Sequence, residues 1–224
     1  MIRGRSRRSW VSTSCVPVSP SSPYHRPTGI SADGSVIVGD TFADSSETPF
    51  RWENGVTTPL NIGGGLIGPT AAAVSSDGRV IVGTGSGAGA SQSYRLENGV
   101  TELLSSFGRG SSAQAVSGDG SVIVGWADVG DRPPKAFVWD AGHGMRDLQD
   151  LLQNVYGLDL DGWNLLEATG VSDDGRTIVG WGTSPTSSGQ AFLVTLPEPT
   201  ALSVLVPGVI LILRRQRLAG RRMF

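Results

Sequence analysis

The chain has 224 residues, 38% of them apolar and 17% charged, with a formal net charge of −2. That length allows one repeat domain with tails, and the single cysteine, Cys15, excludes an internal disulfide and a thiolate metal cluster. Residues 1–8 hold four arginines and residues 214–224 hold five, while 9–213 hold nine basic and all twenty acidic residues, a net of −11. An acidic body of this kind is not built to seek nucleic acid.

Residues 1–27 are rich in Ser, Pro and Arg and read as a disordered lead. From residue 28 to 197 one motif recurs four times. It reads Ile30-Ser-Ala-Asp33-Gly34-Ser-Val-Ile-Val-Gly39, then Val74-Ser-Ser-Asp77-Gly78-Arg-Val-Ile-Val-Gly83. It returns as Val116-Ser-Gly-Asp119-Gly120-Ser-Val-Ile-Val-Gly125 and Val171-Ser-Asp-Asp174-Gly175-Arg-Thr-Ile-Val-Gly180. The steps are 44, 42 and 55 residues, and a period of this size marks a repeat architecture.

The second copy shows the expected unit: strands at Ala71–Ser75, Val80–Gly83, Ser93–Glu97 and Val100–Leu104. Asp-Gly pairs between β-branched residues predict type I′ turns, with φ > 0 at both positions. That expectation covers Asp33-Gly34, Asp77-Gly78, Asp119-Gly120 and Asp174-Gly175. Asn54-Gly55 and Asn98-Gly99 carry the same signal between the third and fourth strands. The unit therefore reads as two tight hairpins joined by a longer Gly/Ser-rich loop. An aromatic recurs in the third strand, at Phe50, Tyr94, Phe137 and Phe192. Two residues on stand Trp52, Leu96, Trp139 and Val194, on the same strand face. Four short antiparallel strands in about 42 residues make a β-propeller blade. The fold class is all-β, with propeller-like repeats, about four blades in a complete or incomplete ring.

Between the third and fourth copies lies an insertion. Leu148, Leu151, Leu152 and Val155 are spaced by three and four, which predicts a short amphipathic helix within 146–157, closed by Gly157. Asp161-Gly162 predicts a turn back into strand.

Residues 198–224 form a distinct tail. Pro197-Glu198-Pro199 precedes an uncharged stretch, 200–213, and Arg214, Arg215 and Arg217 follow it. As a helix the stretch would span about 21 Å, short of the roughly 30 Å hydrocarbon core. The expectation is a C-terminal hydrophobic helix that serves as a transient membrane handle.

These residues resemble two families. The tail is similar to a PEP-CTERM sorting signal: the Pro197-Glu198-Pro199 triplet, the apolar segment and the arginines Arg214, Arg215 and Arg217. That resemblance implies recognition by an exosortase-type membrane processing enzyme. It also implies membrane association during export, removal of the tail, and a final place on the cell surface or in extracellular polymer. The body resembles HAF-type extracellular repeat proteins, through the Ser-x-Asp-Gly-x-x-Ile-Val-Gly motif and the aromatic strands Pro49–Trp52 and Ala136–Trp139. Such proteins begin with a signal peptide. Residues 1–27 lack its apolar core of roughly 7–15 residues, so the expectation is a misassigned start or a truncated gene.

Catalytic, cofactor-binding and metal-binding residues are expected to be none. His25 and His143 pair with no nucleophile motif. The repeated aspartates Asp33, Asp77, Asp119 and Asp174 fit turns better than calcium, which takes six to eight oxygens, roughly, per ion. Paired carboxylates for glycan cleavage stay open, because propellers can host them. The sequence thus points to a non-enzymatic, exported surface or extracellular-matrix repeat protein with a binding or structural role, its partners an exosortase-type enzyme, extracellular polysaccharide and the membrane. The alternatives are a glycan-cleaving propeller enzyme and a truncated gene product without stable function.

Overall fold

Val/Ile-rich runs separated by paired turn residues cannot bury an apolar face alone, so they form hairpins that stack. The computed structural model describes residues 24–43, 46–130 and 132–197. Sheet 1 comprises Tyr24–Ile30 (β1), Val36–Ala43 (β2), Ser46–Glu53 (β3) and Val56–Pro59 (β4). Sheet 2 comprises Ile67–Val74 (β5), Val80–Gly87 (β6), Ala90–Glu97 (β7) and Val100–Leu103 (β8). Sheet 3 comprises Gly110–Val116 (β9), Val122–Asp128 (β10), Lys135–Asp140 (β11) and Gly144–Asp147 (β12). Sheet 4 has three strands among the described residues: Asn164–Val171 (β13), Thr177–Ser184 (β14) and Ser187–Thr195 (β15). Every pairing is between chain neighbours and antiparallel.

The strands differ from expectation in three places. β1 begins at Tyr24, inside the segment read as lead. The second and third strands of sheet 2 do not part into a Gly/Ser loop; they stay paired to Gly87↔Ala90, and Ala88 and Gly89 turn the chain with φ of 49° and 85°. The insertion is one α-helical turn, Leu148–Asp150 (α1), running into a π-helical turn, Leu151–Val155. The wider turn, with Tyr156 N–H donating to Leu151 C=O five residues back, rotates Val155 off the buried face. Val155 is exposed, while Leu148, Leu151 and Leu152 are buried between sheets 3 and 4. Asp147 caps α1 through Gln149 N, and Gln149 Oε1 accepts from Leu165 N, tying the insertion to β13.

The expected C-terminal helix at 200–213, with Glu198, Pro199, Arg214, Arg215 and Arg217, lies outside the described residues, as does 1–23. Among the described residues no helix is long and apolar enough to cross a membrane.

Each sheet packs on the next by one rule. The first strand of a sheet lies against the first three strands of the sheet before it: β5 on β1–β3, β9 on β5–β7, β13 on β9–β11. Side-chain alternation then gives every sheet two faces. One carries the outer valines of the Val-Ile-Val run, the other the central Ile and the aromatic. Val36 and Val38 meet Ile81, Tyr94 and Leu96. Val80 and Val82 meet Ile123, Phe137 and Trp139. Val124 and Val138 meet Ile178, Phe192 and Val194. Full burial of each such side chain stabilises the fold by about 1.5–3 kcal/mol.

A bulge repeats with the same period. Register slips at Thr28, Ala72, Gln114 and Thr169, each five residues before the motif aspartate. The slip brings a first-strand carbonyl over the last glycine of the motif. A Cβ there would lie 2.2 Å from Arg26 O at Gly39, 1.9 Å from Thr70 O at Gly83, 2.0 Å from Ser112 O at Gly125 and 2.1 Å from Glu167 O at Gly180. The aromatic sits directly across from each glycine, as in Gly83↔Tyr94 and Gly125↔Phe137, and fills the space that a side chain would take.

Candidate functional site

The motif aspartates Asp33, Asp77, Asp119 and Asp174, expected in turns, all fall between the first and second strands of their sheets. These turns are not type I′. Gly34, Gly78, Gly120 and Gly175 have φ of 72°, 73°, 74° and 70°, whereas the aspartates before them are not at positive φ. The motif serine makes the difference. Ser31 N–H donates to Val36 O at 2.9 Å, and Ser31 Oγ accepts from Val36 N at 3.0 Å, closing a wider loop. Ser31 Oγ in turn donates to Asp33 Oδ1 at 2.7 Å, which also accepts from Ser35 N at 2.9 Å. Ser75–Asp77, Ser117–Asp119 and Ser172–Asp174 repeat the arrangement. Asn54-Gly55, Asn98-Gly99 and Asp161-Gly162 do have both φ values positive, as type I′ turns require.

This bonding holds the carboxylates ionised. The Ser35 backbone N–H, followed by the Ser31 and Ser35 hydroxyls, lowers the Asp33 pKa to about 2. The Ser75 hydroxyl and the Arg79 N–H lower that of Asp77, and the Ser172 hydroxyl and the Arg176 N–H that of Asp174. At Asp119 partial burial pushes upward, but Ser121 and Ser117 outweigh it and the net direction is down. Each carboxylate spends Oδ1 on its own turn. Among the described residues no three His, Cys, Asp or Glu side chains gather as a group able to hold a metal.

The four turns also join one another. The residue after each serine forms a backbone ladder across the sheets. Ala32 N–H donates to Ser76 O, Ser76 N–H to Gly118 O, and Gly118 N–H to Asp173 O, each at 3.0 Å. Ser76 Oγ reaches Asp173 Oδ1 at 2.9 Å, linking the second turn to the fourth. The turn glycines of the last three copies each rest on a valine of the sheet before: a Cβ on Gly78 would meet Val36 at 2.8 Å, on Gly120 Val80 at 2.3 Å, and on Gly175 Val122 at 2.8 Å. The signal for the serines was present in the sequence, since they stand in all four copies.

Beside the third turn a cleft of about 460 Å³ opens between sheets 2 and 3, lined by Arg95, Glu102, Asp119, Ser121, Trp139 and Asp140 among others. Arg95 pairs with Glu97 at 2.9 Å. Asp140 accepts from His143 and from Arg146. Its partial burial pushes the carboxyl upward, but His143 and Arg146 outweigh that, and its pKa falls below the usual value. The sequence does not single out this cleft, because its lining comes from two repeats.

A second feature escaped the sequence reading. Asp40 is fully buried, with Oδ1 accepting from Ala71 N at 2.9 Å and Oδ2 from Arg26 at 3.0 Å. It bridges sheets 1 and 2. Burial, and then the charge of Asp40, raise the pKa of Tyr94, whose hydroxyl donates to Thr70 O.

Stacked four-stranded antiparallel sheets, each turned against the last through its first strand, define an all-β protein of propeller-like build. Solved structures agree on that build. TolB from Acinetobacter baumannii superposes with a TM-score of 0.55 at 16% identity, over 78% of this chain and 41% of that one. A putative TolB from Agrobacterium tumefaciens gives 0.53 at 17% identity, over 78% of this chain and 58% of that one. The chain therefore spans about half the length of these two structures. At such identities the likeness is one of fold. No family model and no curated protein matches the chain.

Proposed function

We propose that this is a non-enzymatic, exported protein whose propeller-like body has a binding or structural role at the cell surface or in extracellular polymer. The observation that carries the reading is the use made of the recurring motif. Its serine, aspartate and glycines are all spent on closing turns and seating one sheet on the next. What is repeated is therefore a scaffold. The likeness to TolB structures fits such a module.

The tail supplies the route. Pro197-Glu198-Pro199, the apolar segment and Arg214, Arg215 and Arg217 support sorting by an exosortase-type membrane enzyme, with the membrane engaged through 200–213. The cleft beside Asp119 offers Arg95, Glu102 and Asp140 to a ligand rich in hydroxyl groups, which suits extracellular polysaccharide. Cleavage of such a ligand would need one carboxyl kept protonated as the acid. Asp119 and Asp140 are both shifted the other way, so neither is suited to act as that acid.

Mass spectrometry of the protein recovered from its native cell surface tests the proposal. A mature form lacking Arg214–Phe224 is expected. A chain ending intact at Phe224 in a soluble cytoplasmic fraction would overturn the sorting and localisation together.

A further inference from the structure

The packing rule that joins the sheets is left half-used at both ends of the array. At each internal junction, a row of three apolar residues on one sheet covers the valine face of the sheet before it. In sheet 2 the row is Val74↔Ile81↔Leu96, buried on Val36 and Val38. In sheet 1 the equivalent row is Ile30↔Ile37↔Trp52. Here Ile30 is 61% exposed, against 8% for Val74. Sheet 4 shows the opposite deficit. Val179 occupies the place of Val38, Val82 and Val124, each fully buried, yet it is 39% exposed, with Trp181 and Leu193 beside it at 40%.

Further features pair the two ends. In the backbone ladder, Asp173 N–H finds no acceptor and Ala32 C=O no donor among the described residues; these are the two groups that one more step would join. Gly34 is a motif glycine with no preceding valine beneath it, its nearest neighbour being Ile30 at 3.9 Å. Thr177 holds the place of Val36, Val80 and Val122 with no glycine upon it among the described residues. Trp52 Nε1, in the sheet 1 row, is buried without a hydrogen-bond partner. No elements of sheets 1 and 4 share a contact of the extent seen between consecutive sheets.

We propose that these two faces are mates, and that a second copy of this chain docks its sheet 1 face onto the sheet 4 face, head to tail. The contact continues the junction already made three times within the chain: Ile30, Ile37 and Trp52 of one copy cover Val179, Trp181 and Leu193 of the other. Asp173 N–H then donates to Ala32 C=O across the junction. Such a contact is heterologous, closing into a ring where the rotation permits and extending otherwise.

Ile30→Asp and Val179→Asp test it, since each places a charge on one exposed face and leaves the internal junctions alone. Sedimentation velocity of the full chain in a mild non-ionic detergent is the measurement, with circular dichroism to verify the β-fold of each variant. The unaltered chain should associate with rising concentration. Each variant alone should stay monomeric. An equimolar mixture should form dimers and nothing larger, because only one intact face remains on each partner. That complementation requires both variants to be folded. An unaltered chain that stays monomeric at every concentration overturns the proposal. So does association that survives either substitution, which would place the contact elsewhere, on the apolar 200–213 segment for example. A mixture without dimers overturns it as well.

Discussion

Sheets 2 and 3 are packed on both faces, whereas sheets 1 and 4 are packed on one. The same motif sits in all four, so the pair of regions separates what the motif does for its own sheet from what it does for a neighbour. The serine–aspartate loop is closed alike in every copy, at Ser31–Asp33 as at Ser117–Asp119. The last glycine is also an internal need, since all four lie under a carbonyl of their own sheet. The valines and the turn glycine differ. Their burial depends on whether a further sheet is present: Val82 is fully buried and Val179 is 39% exposed. The motif is thus two devices written over one another, a hairpin closure and a junction.

The largest effect should come from the internal device, and should not depend on position. Gly83→Ala sets a methyl 1.9 Å from Thr70 O, with Tyr94 already across the gap. Overpacking of this kind usually costs about 1–3 kcal/mol, and a clash with backbone belongs at the upper end. Gly39→Ala, in an end sheet, should lose a comparable amount in urea denaturation. A tolerated Gly83→Ala would mean that the bulge is not rigid.

The valines should split the regions next. Val82→Ala removes two methyl groups from a fully buried site and should cost about 2 kcal/mol. Val179→Ala removes them from a partly exposed face and should cost about 0.5 kcal/mol or less in the monomer. Equal losses in thermal melts at low concentration would refute the two-face description of the end sheets.

Acid should act on all four loops at once. The aspartate pKa values are lowered on folding, so the stability they add is complete above the unfolded value of 3.8 and is lost as the pH falls through the lowered values, about 2 at Asp33. Melting temperature should hold down to about pH 4 and decline below it. Asp77→Asn should make the decline shallower. At pH 7 it should cost less than about 1 kcal/mol, because an amide oxygen can accept from Ser75 and Arg79 in the same way, and the pair with Arg79 is exposed. A steep loss at neutral pH would point to a demand for charge that the loop geometry does not contain.

Much of the build was legible, and the limits are instructive. The period and the third-strand aromatics located the sheets and the buried face, because alternation maps directly onto pleat. Asn54-Gly55 and Asn98-Gly99 behaved as the dipeptide rule expects. Asp77-Gly78 did not, since Ser75 two residues earlier supplies a hydroxyl that closes a longer loop. That competition is a matter of side-chain reach, which a dipeptide signal does not hold. The bulges were invisible, because no single residue type marks Thr28, Ala72, Gln114 and Thr169; only their effect on Gly39, Gly83, Gly125 and Gly180 is constant. Asp40 was invisible too, since its partners Arg26 and Ala71 N come from two sheets. Leu148, Leu151 and Leu152 form the apolar face that their spacing predicts, but the spacing of Val155 could not foretell a π-helical turn.

The central claim is that the turn glycine is a junction residue. It is tested most directly by one matched pair, Gly120→Ala and Gly34→Ala, compared in urea at pH 7. Both glycines have the same left-handed backbone, at φ of 74° and 72°, so both variants bear the same backbone strain of about 1–2 kcal/mol. Only at Gly120 does the new methyl meet a neighbouring sheet, 2.3 Å from Val80, while at Gly34 nothing but Ile30 lies within 4 Å. Gly120→Ala should therefore be the more damaging by a further 1 kcal/mol or more, roughly. Equal losses for the two would contradict the account, and would reduce the glycine to a turn residue with no part in seating one sheet on the next.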